Sequence, residues 1–177
     1  MTRRSHLIWI SVLVLALLAG AGLGYWRAAP KTDVPPANWV FELQYPQMLD
    51  GKTQTTPVAA HRGPLTVINF WATWCAPCIE EMPELSRVHK DFSPERANVI
   101  GLAVDSPSNV KTFLEQHQIS YPILLVGAAG TDLAKRLGAS IDALPFTVVI
   151  DQKGVVRHQK LGRIKEEELR SWLKEGQ

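Results

Sequence analysis

Cys75 and Cys78 stand two residues apart and are the only cysteines of a 177-residue chain. A pair at this spacing forms a reversible disulfide, and its thiolate is a nucleophile. So short a loop makes a poor structural staple, because cross-link stabilisation grows with the length of loop closed. Zinc needs about four ligands, and His61, His89, His117 and His158 are too scattered in the sequence to suggest a set. Thiol–disulfide exchange is the chemistry this spacing favours.

The flanking residues refine that reading. The apolar run 65–70 predicts a buried strand, and Cys78, Met82 and Leu85 share one face of a helix that follows. Cys75 then sits at a helix N-terminus, where unpaired N–H groups and the helix dipole favour a thiolate. Cys78, one turn further, is placed to resolve a mixed disulfide formed at Cys75. Pro77 falls in the first helical turn, where its missing N–H costs little. Neither Ala76 nor Pro77 can place an imidazolium between the cysteines, so the dipeptide leans toward a reducing role. Glu81, three residues after Cys78, is the nearest acid–base candidate. The plainer reading gives Glu80 and Glu81 to the helix dipole. Trp74 beside Cys75 is expected on a docking surface, and Trp71 mainly in the core.

The elements that hold these residues read in order. Residues 41–43 alternate like a short edge strand, and Asp50-Gly51 marks a hairpin turn. Pro83 lies inside the helix after Cys78 and predicts a kink. A strand over 98–104 precedes Ser106-Pro107, a cap followed by proline at the first helical position. Val110, Phe113, Leu114 and His117 then recur at helical spacing. A strand at 121–126, a short helix capped by Thr131, and strands at 146–150 and 155–161 around Gly154 follow. The last helix opens with Glu166, Glu167 and Glu168 and turns Leu169, Trp172 and Leu173 inward. This alternation predicts an α/β domain with parallel pairs covered by helices and an antiparallel edge at the Gly154 hairpin.

The run Asn69-Phe70-Trp71-Ala72-Thr73-Trp74-Cys75-Ala76-Pro77-Cys78, with Glu81, Pro83 and Leu144-Pro145, resembles the thioredoxin superfamily and, within it, the exported TlpA/ResA-like branch. The resemblance extends over residues 41–173. It implies a thioredoxin-like fold, a mixed central sheet flanked by helices, with a strand–helix insertion at 105–126. It also implies that Pro145 is a cis-proline facing the cysteines, and that the backbone of Leu144 pairs with the partner's chain. Glu81 would help move protons, because Asn69 stands where thioredoxin carries a titratable aspartate. Phe146 departs from the small or hydroxyl residue often found there, which predicts a more apolar partner-facing surface. The implied activity is protein thiol–disulfide oxidoreduction without an organic or metal cofactor. Implied substrates are apocytochrome c haem-binding cysteines or oxidase copper-site cysteines.

The rest of the chain speaks to location. Arg3 and Arg4 precede an uncharged apolar segment, residues 5–26, long enough to span a bilayer. It predicts a retained signal-anchor, with cleavage near Ala21 as the alternative; either exports the domain. No cysteine follows closely enough for lipid attachment. Residues 27–37, with Pro30, Pro35 and Pro36, read as a spacer before a domain at 38–177. The expected location is the cytoplasmic membrane, single-pass, with the domain facing the periplasm or cell exterior. A net charge of +2 without a Lys/Arg run gives no nucleic-acid surface. A monomer is expected. With no further cysteine, recharging falls to a separate membrane thiol reductase. Two rival readings are a copper metallochaperone using the same cysteines and a thiol peroxidase. No Met-rich or His-rich tract favours the first, and only Thr73 supports the second.

Overall fold

The structure, a computed structural model, describes residues 36–175. The proposed anchor at 5–26 lies outside the described residues, as does most of the spacer. Among the described residues no helix is long and apolar enough to cross a membrane.

Seven strands form one mixed sheet: β1 (Gln44–Leu49), β2 (Lys52–Pro57), β3 (Leu65–Trp71), β4 (Ala97–Ala103), β5 (Ile123–Leu125), β6 (Phe146–Asp151) and β7 (Val156–Leu161), in the order β2-β1-β5-β4-β3-β6-β7. Among the described residues four α-helices accompany them: α1 (Ala76–Phe92), α2 (Pro107–Gln116), α3 (Gly130–Arg136) and α4 (Glu166–Glu175). The apolar run predicted as a buried strand is β3, buried at every position. It has a partner on each side and apolar layers on both faces. Period-two alternation divides its residues between them. Leu65, Val67 and Trp71 join the layer that holds Cys78, Met82, Phe113 and Leu169 from α1, α2 and α4. Ile68 and Phe70 join the opposite layer, with Leu133 and Ala134 of α3.

Three expectations are corrected and a fourth is qualified. Residues 41–43 are not a strand: Ala37–Glu42 is a 3₁₀ helix that buries Ala37, Val40 and Phe41, a helical spacing. The Ala37 amide donates to the Gly154 carbonyl, which ties this turn to the β6–β7 hairpin. Thr131 does not cap α3. It lies inside the helix and donates to the Ala128 carbonyl, because a 3₁₀ turn at Gly127–Ala129 runs directly into α3. Trp172 packs against the core layer as expected but is only partly buried, with its ring stacked on His158 of β7 at 4.9 Å. Finally, β6 runs antiparallel to β3, with Phe70 opposite Phe146. Its first residues therefore meet the C-terminal end of β3, from which the chain passes to the cysteines.

Other expectations hold. Asp50 and Gly51, both at positive φ, turn the β1–β2 hairpin. Ser106 caps α2 by accepting from the Asn109 amide, and Pro107 takes the first helical position. The helix α1 continues through Pro83 to Phe92.

Candidate active site

Cys75 is the N-cap residue of α1, and its carbonyl accepts from the Cys78 and Ile79 amides. The two cysteines are joined as a disulfide with Cα atoms 5.3 Å apart. Their surroundings differ. Cys75 is 6% exposed and lies between exposed Trp74 (69%) and the exposed Ala76 and Pro77, whereas Cys78 is 0% exposed. This asymmetry follows from helix geometry: Cys75 precedes the first turn at the surface, and Cys78 turns inward with Met82 and Leu85. Cys75 thus stands at the positive end of the α1 dipole, a position that favours a thiolate.

The Leu144–Pro145 peptide is cis, as the resemblance implied. The antiparallel register brings this bond to the end of β3, where the chain leaves for Cys75. The Pro145 carbonyl accepts from the Gly162 amide at 2.8 Å, and partly buried Leu144 lies just before the β6 ladder. A second cis bond, Ser93–Pro94, follows α1 and was not foreseen.

Glu81 is the buried charge of the site. It is 0% exposed, with one oxygen accepting from Asn69 Nδ2 at 2.7 Å and the other from the Ile164 amide at 2.8 Å. Burial pushes its carboxyl up to about 7, against the lowering effects of those two hydrogen bonds and of the Arg163 charge. A carboxyl so poised exchanges a proton near neutral pH, which a dipole-complementing surface glutamate has no need to do. Glu80, by contrast, is exposed and paired with Arg163. Asn69 also donates to Thr147 on β6 at 3.0 Å, while its Oδ1 has no partner.

Two aromatic expectations separate here. Trp71 is fully buried and packs on Phe113 at 5.1 Å, so it is core, as its sequence position favoured. Phe146 is not partner-facing. It is 1% exposed and its ring packs on Phe70 at 6.0 Å, because strand alternation turns it into the layer opposite α1.

Sequence reasoning missed Asp105. Its carboxylate accepts from the Thr73 amide (3.0 Å), the Thr73 hydroxyl (2.5 Å), the Ser106 amide (2.7 Å) and Asn109 Nδ2 (2.8 Å). It thereby ties the turn leading to Cys75 to the start of α2. Burial raises the Asp105 carboxyl, but these hydrogen bonds outweigh it and hold the group below its ordinary value. Because the folded-state value is depressed, the stabilisation is present at neutral pH and fades as pH falls below the carboxylate range. Asp105→Asn is expected to lower stability by about 1 kcal/mol at pH 7, less than the roughly 1.5–3 kcal/mol of a charged hydrogen bond because the site is only partly buried. The deficit should shrink by pH 3, which urea unfolding at the two pH values measures. A deficit of equal size at both would mean the carboxylate charge is immaterial. The Thr73 hydroxyl, the feature favouring a peroxidase, is committed to Asp105.

A disulfide-forming Cys-x-x-Cys at the start of the helix that follows a central strand, with a cis Leu144–Pro145 bond beside the end of that strand, defines a thiol–disulfide oxidoreductase of thioredoxin-like fold. Over residues 33–159 the sequence matches the AhpC/TSA family, and the chain belongs to it. It is 25% identical to the thiol-disulfide oxidoreductase ResA of Bacillus thuringiensis subsp. konkukian over 177 residues, covering 97% of each chain. It is also 25% identical to the sporulation thiol-disulfide oxidoreductase A of Bacillus subtilis, covering 96% of this chain and 98% of that one. Among solved structures, a thioredoxin-related protein from Neisseria meningitidis serogroup B is 33% identical. It superposes with a TM-score of 0.62 over 68% of this chain and 90% of its own.

Proposed function

We propose that this protein is a membrane-anchored, exported reductant of protein disulfides. The observation that carries the reading is the asymmetry of the pair: Cys75 keeps a small exposure (6%) among exposed neighbours, and Cys78 is sealed (0%). In the reduced protein the Cys75 thiolate attacks one sulfur of a partner disulfide, and the other partner sulfur leaves as a thiolate and takes a proton. Cys78 then loses its proton and attacks Cys75 Sγ, which releases the second partner sulfur as a thiolate. The protein ends as the Cys75–Cys78 disulfide and the partner as a dithiol.

Glu81 serves this sequence as the proton carrier, accepting the Cys78 proton and returning it to the site. Its position one turn beyond Cys78 and its near-neutral carboxyl support the role. Trp74, Pro77, Leu144 and Pro145 form the partner-binding rim, with the backbone of Leu144 pairing to the substrate chain. Ala76-Pro77 supports the reducing direction, since no imidazolium stands between the cysteines to stabilise the thiolate form. The layout is an anchor at 1–26, a spacer at 27–37 and a catalytic domain at 38–177, which acts as a monomer outside the cytoplasmic membrane. The substrates are exported proteins with cysteines kept reduced for assembly, such as apocytochrome c or the copper site of an oxidase. Electrons come from a membrane thiol reductase.

Cys78→Ser tests the reading. The variant should accumulate mixed disulfides through Cys75 to its exported partners, identifiable after non-reducing separation. A variant that traps nothing, together with a native pair found fully oxidised in cells, would end the reductant proposal.

A further inference from the structure

The connection from β7 to α4, residues 162–165, crosses the outer side of α1 at the level of Glu81. Three contacts fix it there. Arg163 donates to Glu80 and to Glu84, both at 2.8 Å, and so spans one turn of α1. The Ile164 amide donates to Glu81, and Ile164 itself is 1% exposed. The Glu166 amide, at the start of α4, donates to the second Glu84 oxygen at 2.6 Å. Beyond this loop lies an open cleft of about 490 Å³, lined by Glu84, Arg163, Lys165, Glu166, Glu167 and Arg170. One short loop thus separates a fully buried carboxylate from a water-accessible, highly charged cleft.

We propose that Arg163 is a positioning residue for Glu81: by bridging Glu80 and Glu84 it latches the 162–165 loop onto α1, which keeps the Ile164 amide on the Glu81 carboxylate and keeps water away from it. A carboxylate closed off on this side trades its proton with the cysteine side of the helix rather than with bulk solvent.

The groups that act on Glu81 come from each element around it. On α1 itself it is Glu84, which opposes its ionisation; neighbouring Glu80 is paired with Arg163. From β3 comes the Asn69 amide, and from the loop come the Ile164 amide and the Arg163 charge, all favouring ionisation. After α2 stands Tyr121, a buried phenol whose own proton is held more tightly, first by burial and then by the Glu81 charge. Burial, with a smaller contribution from Glu84 in the same direction, outweighs the groups that favour ionisation and raises the Glu81 carboxyl to about 7. Arg163 is 39% exposed, so its charge is screened by solvent. Opening the loop therefore acts on Glu81 mainly by letting water in, which lowers the carboxyl toward its ordinary value.

The functional weight of the latch rests on the proton-carrying role given to Glu81, but its existence is tested without turnover. In the oxidised full-length protein in detergent micelles, Arg163→Ala should speed hydrogen exchange of the Ile164 amide by about tenfold or more. The Glu81 carboxyl, followed by carbon NMR, should titrate below 7. Arg163→Lys, which keeps the charge but not the fork, should fall between. Glu84→Gln should loosen the same amide, and with Arg163→Lys it carries the test if the alanine variant does not fold. Unchanged Ile164 protection in the folded variants would overturn the proposal. So would a Glu81 titration moved upward, because Arg163 would then act through its charge rather than through the loop. A silent Glu81→Gln variant in an exchange assay would sink the catalytic role and leave both readouts untouched.

Discussion

Glu81→Gln is expected to make the protein more stable at pH 8 and a slower catalyst at pH 7. Both effects come from the same buried carboxyl. Folding raises it from an ordinary 4.5 to about 7, so between those values the folded protein holds a proton that the unfolded chain has released. Stability is therefore full below the unfolded value and declines as pH rises toward 7, by about 3 kcal/mol if this group acted alone. Glutamine does not titrate and removes that decline. It can still accept from the Ile164 amide, and rotation of the Asn69 amide presents the unpartnered Oδ1 to its NH₂. The expected gain at pH 8 is roughly 1–3 kcal/mol, reduced by whatever hydrogen bonding the new pair fails to recover. At pH 4.5 the two proteins should unfold at similar denaturant concentrations. Loss of the proton carrier should slow exchange on the order of 10²-fold near neutrality and erase an inflection near pH 7 in the rate profile. Unfolding midpoints that run parallel from pH 5 to 8 would show that Glu81 does not titrate in this range. An unchanged rate profile would return it to complementing the helix dipole.

Gly101→Val should be the most destabilising single change near the site. Gly101 lies on β4 between Asn69 of β3 and Ile123 of β5, on the face that carries α1. A Cβ built there meets Ile123 Cδ1 at 2.6 Å, Trp71 Nε1 at 3.0 Å and Tyr121 Cε2 at 3.1 Å. The isoleucine tip can move aside, but two buried aromatic rings have little room to do so. Alanine should cost about 1–3 kcal/mol and valine more, a large share of the roughly 5–15 kcal/mol that holds a domain together. Urea unfolding measures both. The valine variant should also exchange disulfides more slowly, because displacing Trp71 tilts the strand end that carries Thr73 and Cys75. An alanine variant with the parent's unfolding midpoint would mean that the aromatic rings yield freely.

Much of this arrangement was legible in local sequence. The run 65–70 is apolar throughout because β3 is covered on both faces, and α1 announces itself through Cys78, Met82 and Leu85. The Cys75–Cys78 disulfide and the cis Leu144–Pro145 bond were legible because spacing and a family resemblance act over a few residues. Less legible was whatever depends on distant partners. Asp105 reads as an ordinary aspartate before a Ser-Pro cap, and nothing near it indicates Thr73, 32 residues earlier. Arg163 likewise gives no local hint of Glu80, 83 residues away. Phe146 was misplaced because its neighbour in the fold is Phe70, and the antiparallel pairing that joins them cannot be read from helix–strand alternation.

The long reach of these contacts bears on when the protein becomes competent during its own synthesis. Asn69 is held by Thr147, 78 residues on, and Glu81 by the Ile164 amide, 83 residues on. Contacts of such separation form late, because the intervening chain must be ordered first. A chain that has emerged only as far as α3 already carries both cysteines, yet it lacks Pro145, Thr147 and the 162–165 loop. Its thiols are those of an open helix end, without the Ile164 amide on Glu81 or the cis Leu144–Pro145 bond beside β3. A chain of that length is accordingly expected to exchange disulfides without the acid–base and docking help proposed for the folded site.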